Sequence, residues 1–340
     1  MRGAGVGYDV TPPPEISAAP PAPPASGAPL APTRTLPGRL APTAMFPAAA
    51  LELLSVRFVT LSSGLRVRVV EGGPPEGAPL FFVHGWACSV YAFRRNFASL
   101  AAAGFRVLSA DLKGHGLSES PTGPGDYRTE AMVTHLLEVL NALGIPRASL
   151  VGHSLGGAIA LEVALQWPGR VSRLALLDSV GLGESPLMSV VRMLTPRPVA
   201  SLLPALVRRW MVALALHVAY GQRGGFSARD VDEYWAPTQF PETIEAARMI
   251  AHEFTWSPLP AERLSTLRVP TLVVFGTRDR LVNPRAAARL VRSLPGARLE
   301  LVSGAGHVTP EETPDEVNRL LLDFLRAECP EARPRESGTA

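Results

Sequence analysis

Cysteine is scarce in this chain of 340 residues: Cys88 and Cys329 are its only two, and no CxxC pair occurs. Two isolated thiols cannot build a disulfide framework or a structural zinc site. Their scarcity fits a reducing compartment, so a cytoplasmic location is expected, and Cys88 reads as a small buried thiol. Charge is also sparse. Charged residues make up 19% and the net charge is +3, although the pI is near 9.2. There is no long basic run and no interleaving of basic with aromatic residues, which excludes nucleic acid as an expected partner. No basic segment followed by an apolar run of about 7–15 residues opens the chain, so a secretory signal is not expected.

Long apolar runs are missing too, with one stretch to weigh, VASLLPALVRRWMVALALHVAYG from Val199 to Gly221. Arg208 and Arg209 at its centre each cost about 2.5–3.5 kcal/mol in a bilayer core, against about 0.3–0.6 gained per strongly apolar residue. Pro204 adds a break. A spanning helix is excluded, and a lid helix over an apolar pocket is favoured over an interfacial membrane helix.

Proline and alanine dominate residues 1–50, as in TPPPEISAAPPAPPASGAPLAP. Such a segment buries too little apolar surface to offset its ordering entropy and reads as a disordered tail. Met45 offers an alternative translation start. Residues 329–340 read as a short flexible tail.

Between the tails, short β-branched runs alternate with helical stretches. Strand candidates are VRFVTL (56–61), LRVRVVE (65–71), PLFFVHG (79–85), RVLSADL (106–112), ASLVGH (148–153), RLALLDS (173–179), PTLVVFG (270–276) and RLELVSG (298–304). Helical patterns lie near 90–103, 128–144, 155–167, 284–294 and 314–327. Several strands are continuous apolar runs, as expected where crossover helices cover both faces. The pattern predicts an α/β fold with a mostly parallel eight-stranded sheet flanked by helices. The SSG link between the first two runs predicts an antiparallel start. Residues 183–264 lack a convincing strand, so they read as a helical cap inserted between core segments 51–182 and 265–328. There is no internal repeat.

The sharpest chemical signal is Gly152-His153-Ser154-Leu155-Gly156, between a strand-like run and a helix-forming one. A serine on a tight strand-to-helix turn presents its hydroxyl above the sheet. Glycines two residues to either side are needed where helix and strand pack so closely that a Cβ would collide. The helix start supplies free N–H groups and a positive dipole end for a developing oxyanion. The bland alternative is a glycine-packed turn with an idle serine.

From these residues the chain resembles the α/β-hydrolase fold family over roughly residues 55–328. His84-Gly85-Trp86 after an apolar strand is similar to the family's oxyanion-hole segment. Asp111 to Ser118 resembles the loop after the next strand, with Lys113 where the family commonly has arginine. FGTRDRLV and GAGHVTPEE resemble the segments that carry the family's acid and histidine. The resemblance implies a cofactor-free, metal-free serine hydrolase. Relatives that open epoxides or carbon–halogen bonds carry aspartate at the position of Ser154, so the serine argues against both activities.

A serine hydroxyl needs a base, and the base an orienting acid. Of seven histidines, His307, in a Gly-rich loop after the last strand run, is the candidate base. His153 reads as structural, His84 as a brace of the oxyanion loop, and His135, His217 and His252 as helix residues. His115 sits in the Asp111–Ser118 loop, which reads as structural. Asp279 gives the chain order Ser…Asp…His expected of this family; Asp178, at another strand end, is the other candidate. The expected oxyanion donors are the main-chain N–H groups of Trp86 and Leu155, supported by His84, Gly85, Gly152 and Gly156. The Trp86 indole either lines the pocket or packs.

The expected reaction is cleavage of an apolar carboxylic ester through an acyl-enzyme, with Trp210, Met211, Tyr220, Tyr234 and Trp235 suggesting an apolar pocket. The same triad also suits carbon–carbon bond hydrolysis, peracid-forming or haloperoxidase chemistry, thioester or amide hydrolysis and acyl transfer. Outside enzymology, the alternatives are a small-molecule-binding module on the same fold, or a membrane-surface protein docking through Val199–Gly221.

Overall fold

The apolar runs pair into one sheet because most of them bury both faces. A computed structural model describes residues 44–47, 53–182, 185–222 and 225–327. The strands are β1 (Leu54–Thr60), β2 (Arg66–Gly72), β3 (Pro79–Val83), β4 (Arg106–Ala110), β5 (Ala148–His153), β6 (Val171–Leu177), β7 (Thr271–Gly276) and β8 (Arg298–Val302). They lie in the order β1-β2-β4-β3-β5-β6-β7-β8. The β1–β2 and β2–β4 pairs are antiparallel and all others parallel.

The helices outside the β6–β7 connection are α1 (Phe97–Ala102), α2 (Thr129–Ala142), α3 (Leu155–Gln166), α10 (Pro284–Val291), α11 (Thr309–Glu312) and α12 (Pro314–Arg326). Strand alternation sorts the core into two layers. Phe81 and Val83 of β3 pack with Leu136 of α2 and Ile159 of α3, while Leu80 and Phe82 pack with Leu100 of α1 and Leu321 of α12.

Several runs end earlier than the apolar pattern suggests, and three of them matter for the site. β3 stops at Val83, β4 at Ala110 and β6 at Leu177, so His84, Asp111 and Asp178 fall just beyond the ladder. Their side chains bond to neighbouring segments instead, and these strand ends carry the site.

Between β6 and β7 the described chain is helical, with α4 (Pro186–Leu194), a 3₁₀ turn (Arg197–Leu202), α5 (Leu203–Leu206), α6 (Arg209–Ala219), α7 (Ala228–Trp235), a second 3₁₀ turn (Ala236–Gln239), α8 (Pro241–Glu253) and α9 (Ala261–Leu264). The Val199–Gly221 stretch is therefore not the single lid helix expected of it. Val207 (ψ 124°) and Arg208 (ψ 151°) are extended and separate α5 from α6. With prolines at 196, 198 and 204 removing N–H donors upstream, the segment closes only short pieces of helix. No helix among the described residues is long and apolar enough to cross a membrane.

The proline-rich stretch 1–50 lies outside the described residues except for Ala44–Pro47, and 329–340 lies outside them entirely. Those four residues pack against the folded chain. Met45 is 1% exposed, the Phe46 N–H donates to Glu233 of α7 (2.9 Å), and the Phe46 ring meets Tyr91 edge-on at 5.8 Å. A methionine and a phenylalanine supply the apolar area that the preceding proline- and alanine-rich sequence lacks.

Candidate active site

Ser154 joins β5 to α3 with φ 53° and ψ −118°, in a region that non-glycine residues avoid. Such a conformation costs about 1–3 kcal/mol and persists only where its surroundings over-determine it. Here they do. The Ser154 N–H donates to the Leu177 carbonyl of β6 (3.0 Å), and its carbonyl accepts from Gly157 (3.0 Å) and Val180 (3.2 Å). A Cβ on Gly156 would stand 2.1 Å from the Val83 carbonyl oxygen, and one on Gly152 2.5 Å from the Gly156 oxygen. The two glycines let α3 start directly against β3 and β5.

His307 reaches this hydroxyl from the loop after β8. Its Nε2 lies 2.9 Å from Ser154 Oγ, and its Nδ1 2.8 Å from Asp279 Oδ2. Asp279 turns its other oxygen to the N–H groups of Leu281 (2.7 Å) and Val282 (2.9 Å), which fixes the carboxylate plane. With the Nδ1 proton donated to Asp279, Nε2 is left to accept from the serine. Burial disfavours a charged imidazole, but the Asp279 carboxylate, by charge and hydrogen bond, outweighs it. The His307 pKa is held above its ordinary value of 6.5, with Asp178 adding to the effect when ionised. The arrangement can draw a proton from the hydroxyl and stabilise the imidazolium that results.

Asp178, the other acid considered, does not contact His307. It accepts from the Gly276 N–H (2.9 Å) and from the Thr309 N–H (3.1 Å) and hydroxyl (2.7 Å), joining the end of β7 to the segment after His307. Burial, reinforced by the charge of Asp279, pushes its pKa up to about 8.

The main chain at Gly85 passes immediately over the serine, since a Cβ there would stand 3.1 Å from Ser154 Cβ. Trp86 follows it, and Leu155 begins α3, where first-turn N–H groups lack helical acceptors. His84 holds this loop. Its Nδ1–H donates to the Gly85 carbonyl (2.9 Å), and its Nε2 accepts from the Leu112 N–H (2.9 Å). Burial brings its pKa down to about 4, so the ring stays neutral and keeps one donor and one acceptor. His135 likewise accepts from the Lys113 N–H (3.0 Å). Asp111 accepts from Val90 (2.8 Å) and Leu117 (2.9 Å), and the Ser118 hydroxyl donates to the Asp111 carbonyl (2.6 Å). The Trp86 indole packs: it donates to the Ala247 carbonyl of α8 (2.9 Å).

The pocket expectations fare differently. Trp210 is 65% exposed and Met211 40%, so both turn outward from α6. Tyr234 is buried with its hydroxyl donated to Glu311, and Trp235 is enclosed. Helical spacing marked these residues as apolar without indicating which face would point inward. Cys88 rests with Sγ 3.4 Å from the Trp86 carbonyl, its pKa pushed up to about 12 by burial, which keeps it a thiol.

Several supporting residues had no legible signal. Glu312 accepts from the N–H groups of Gly306 (2.8 Å) and Gly221 (2.9 Å), and the His307 N–H donates to the Ala219 carbonyl of α6 (2.7 Å). The helical insertion thus holds the histidine loop directly. Arg94 pairs with Glu311 and with Asp230 of α7, fastening the insertion to the core a second time. Only the stretch GAGHVTPEE hinted at the two glutamates, and nothing in its spacing assigned them a role. Among the described residues no cluster of three or more His, Cys, Asp or Glu is placed to hold a metal ion.

The sequence model of the alpha/beta hydrolase fold matches residues 78–314. The chain is 32% identical over 284 residues to the 2-hydroxy-6-oxononadienedioate/2-hydroxy-6-oxononatrienedioate hydrolase of Burkholderia vietnamiensis, covering 80% of this chain and 91% of that protein. It is 27% identical over 311 residues to mouse bifunctional epoxide hydrolase 2, covering 80% of this chain and 55% of that protein, so it spans about half the length of that relative. Among solved structures, a putative aryl esterase from Burkholderia cenocepacia superposes with a TM-score of 0.68 at 25% identity, covering 80% of this chain and 98% of the other.

Proposed function

Because this chain belongs to the alpha/beta hydrolase fold family, we propose that it is a hydrolase, that the bond it cleaves is an apolar carboxylic ester and that Ser154, His307 and Asp279 cleave it. The observation that carries the reading is the continuous path from Asp279 through His307 to Ser154 Oγ, with donor–acceptor distances of 2.8 and 2.9 Å. His307 Nε2 takes the hydroxyl proton as Oγ attacks the acyl carbon, and Asp279 stabilises the imidazolium. The main-chain N–H groups of Trp86 and Leu155 hold the tetrahedral oxyanion, each such donor being worth about 10²–10³ in kcat. His307 then gives its proton to the departing alkoxide, leaving Ser154 acylated. Water attacks the acyl carbon while Nε2 takes its proton, and collapse returns that proton to Oγ and frees the acid.

The insertion at 183–264 acts as a cap. Leu216 and Ala219 of α6 pack with Val308, next to the histidine, which favours an apolar substrate portion there. The mouse relative is an epoxide hydrolase, but serine at 154 argues against that chemistry here. The second reading is carbon–carbon bond hydrolysis of a diketone-type substrate, favoured by the 32% identity to the Burkholderia hydrolase. A chain-length series of p-nitrophenyl esters, followed before the steady state, separates the two. A burst matching the enzyme concentration supports the ester reading, and turnover of a vinylogous diketone without ester turnover overturns it.

A further inference from the structure

Apolar exposure is concentrated on one part of the insertion. Nine of the eleven large apolar side chains exposed among the described residues lie between Val190 and Val218. On α6, Trp210, Leu214 and Val218 recur every four residues and form one outward stripe, while Leu216 and Ala219 face inward. Met193 and Leu194 of α4 and Leu206 of α5 add to the exposed apolar surface. A folded domain rarely leaves so many large apolar groups uncovered without a partner for them.

The charge of the same segment identifies the partner. From Ser185 to Gln222 the sequence has no Asp, Glu or Lys and four arginines. Arg209 pairs with Asp232 of α7 (2.6 Å), and Arg192 donates to the carbonyls of Ala251 (2.5 Å) and Phe254 (3.0 Å). Arg197 and Arg208 are exposed, and neither forms an ion pair among the described residues. An apolar stripe with a tryptophan, bordered by arginines and free of acids, is complementary to an anionic lipid surface, where apolar groups enter the headgroup boundary and cations meet phosphates. A second copy of the chain fits less well, because residues 185–222 offer no carboxylate of their own to pair with Arg197 and Arg208 of the other copy.

We infer that the exposed apolar side chains of α4, α5 and α6 dock this protein on an anionic bilayer, in the plane of the interface and without crossing it. The docking does not depend on which bond the site hydrolyses.

The test is co-sedimentation of the full chain with vesicles of phosphatidylcholine alone and of equal parts phosphatidylcholine and phosphatidylglycerol. Two double variants accompany the wild type: Met193→Ser with Leu214→Ser, and Arg197→Gln with Arg208→Gln. All four positions are exposed, so unchanged thermal midpoints verify folding. The expected result is sedimentation with the anionic vesicles, weakened about tenfold or more by either pair of changes. Three results overturn the inference: no binding to anionic vesicles, vesicle binding unaffected by the serine changes, or a wild-type dimer that the serine changes convert to monomer without vesicle binding. Capture by soluble polyglutamate as strong as by vesicles overturns it too, by identifying an acidic protein as the partner.

Discussion

The imidazole of His153 donates from Nε2 to the main-chain carbonyl of His307 across 2.7 Å, and the two rings lie 5.2 Å apart. The residue before the candidate nucleophile is thus bonded to the backbone of the candidate base, joining the end of β5 to a loop more than 150 residues away in sequence. Burial, with the charge of His307, lowers the His153 pKa to about 3, so the ring stays neutral and serves as a strut.

His153→Ala leaves the buried His307 carbonyl without its donor, at a cost of about 1–3 kcal/mol. Denaturant unfolding should show that loss. Activity should fall about tenfold to a hundredfold with an unchanged pH profile, since a strut moves the base without replacing it. A shifted profile would assign His153 a proton-transfer role.

The two carboxylates should separate cleanly. Asp279→Asn replaces the acceptor of the His307 Nδ1–H and should cost about 10³–10⁴ in kcat. Asp178 is hydrogen-bonded to Gly276 and Thr309 and has no hydrogen bond to His307 among the described residues. Asp178→Asn should therefore stay within about tenfold of wild type. The opposite ranking, measured under the same conditions, would reassign the acid.

The pH dependence follows from the direction of the His307 shift. His307 accepts a proton only when neutral, and Asp279 holds its pKa above 6.5. The acid limb of kcat/KM should therefore rise through an apparent pKa above 6.5, and Asp279→Asn should move that limb lower in whatever activity remains. A wild-type limb below the ordinary histidine value would contradict this electrostatic account.

Stability should decline as the pH falls below 6.5. His84, His115 and His153 are buried and neutral, with pKa values lowered to about 4, 3 and 3, chiefly by burial. His135 is lowered as well. The unfolded chain protonates these rings near 6.5 and the folded chain only below 4, so stability present above 6.5 is lost through that window. Thermal midpoints recorded against pH should decline there, and a flat curve between neutrality and pH 5 would show that the rings are hydrated.

Much of the sheet was legible because burial on both faces writes continuous apolar runs, and β5 begins and ends where its run does. The overshoot at β3, β4 and β6 has a physical reason: His84, Asp111 and Asp178 continue the apolar rhythm poorly and turn their side chains to neighbouring segments. Ser154, His307 and Asp279 could be picked out singly, each within three residues of a glycine and shortly after a strand run. The Arg94 contacts to Asp230 and Glu311 could not, because their partners lie 136 and 217 residues away. The outward turn of Trp210 was equally hidden, since apolar spacing does not say which side of a helix the core occupies.

The elbow offers a stability test with an internal control. Gly156→Ala would bring a methyl within 2.1 Å of a strand carbonyl, whereas Gly169 has nothing within 4 Å. The first change should destabilise the fold by about 3 kcal/mol or more and the second by a few tenths.

The most direct test treats the folded chain with a fluorophosphonate probe and locates the adduct by peptide mass spectrometry, alongside Ser154→Ala and His307→Ala. The account predicts one adduct, on Ser154, absent from the first variant and formed about a hundredfold more slowly in the second. A folded protein that takes up no probe, or takes it up at another serine, would contradict it.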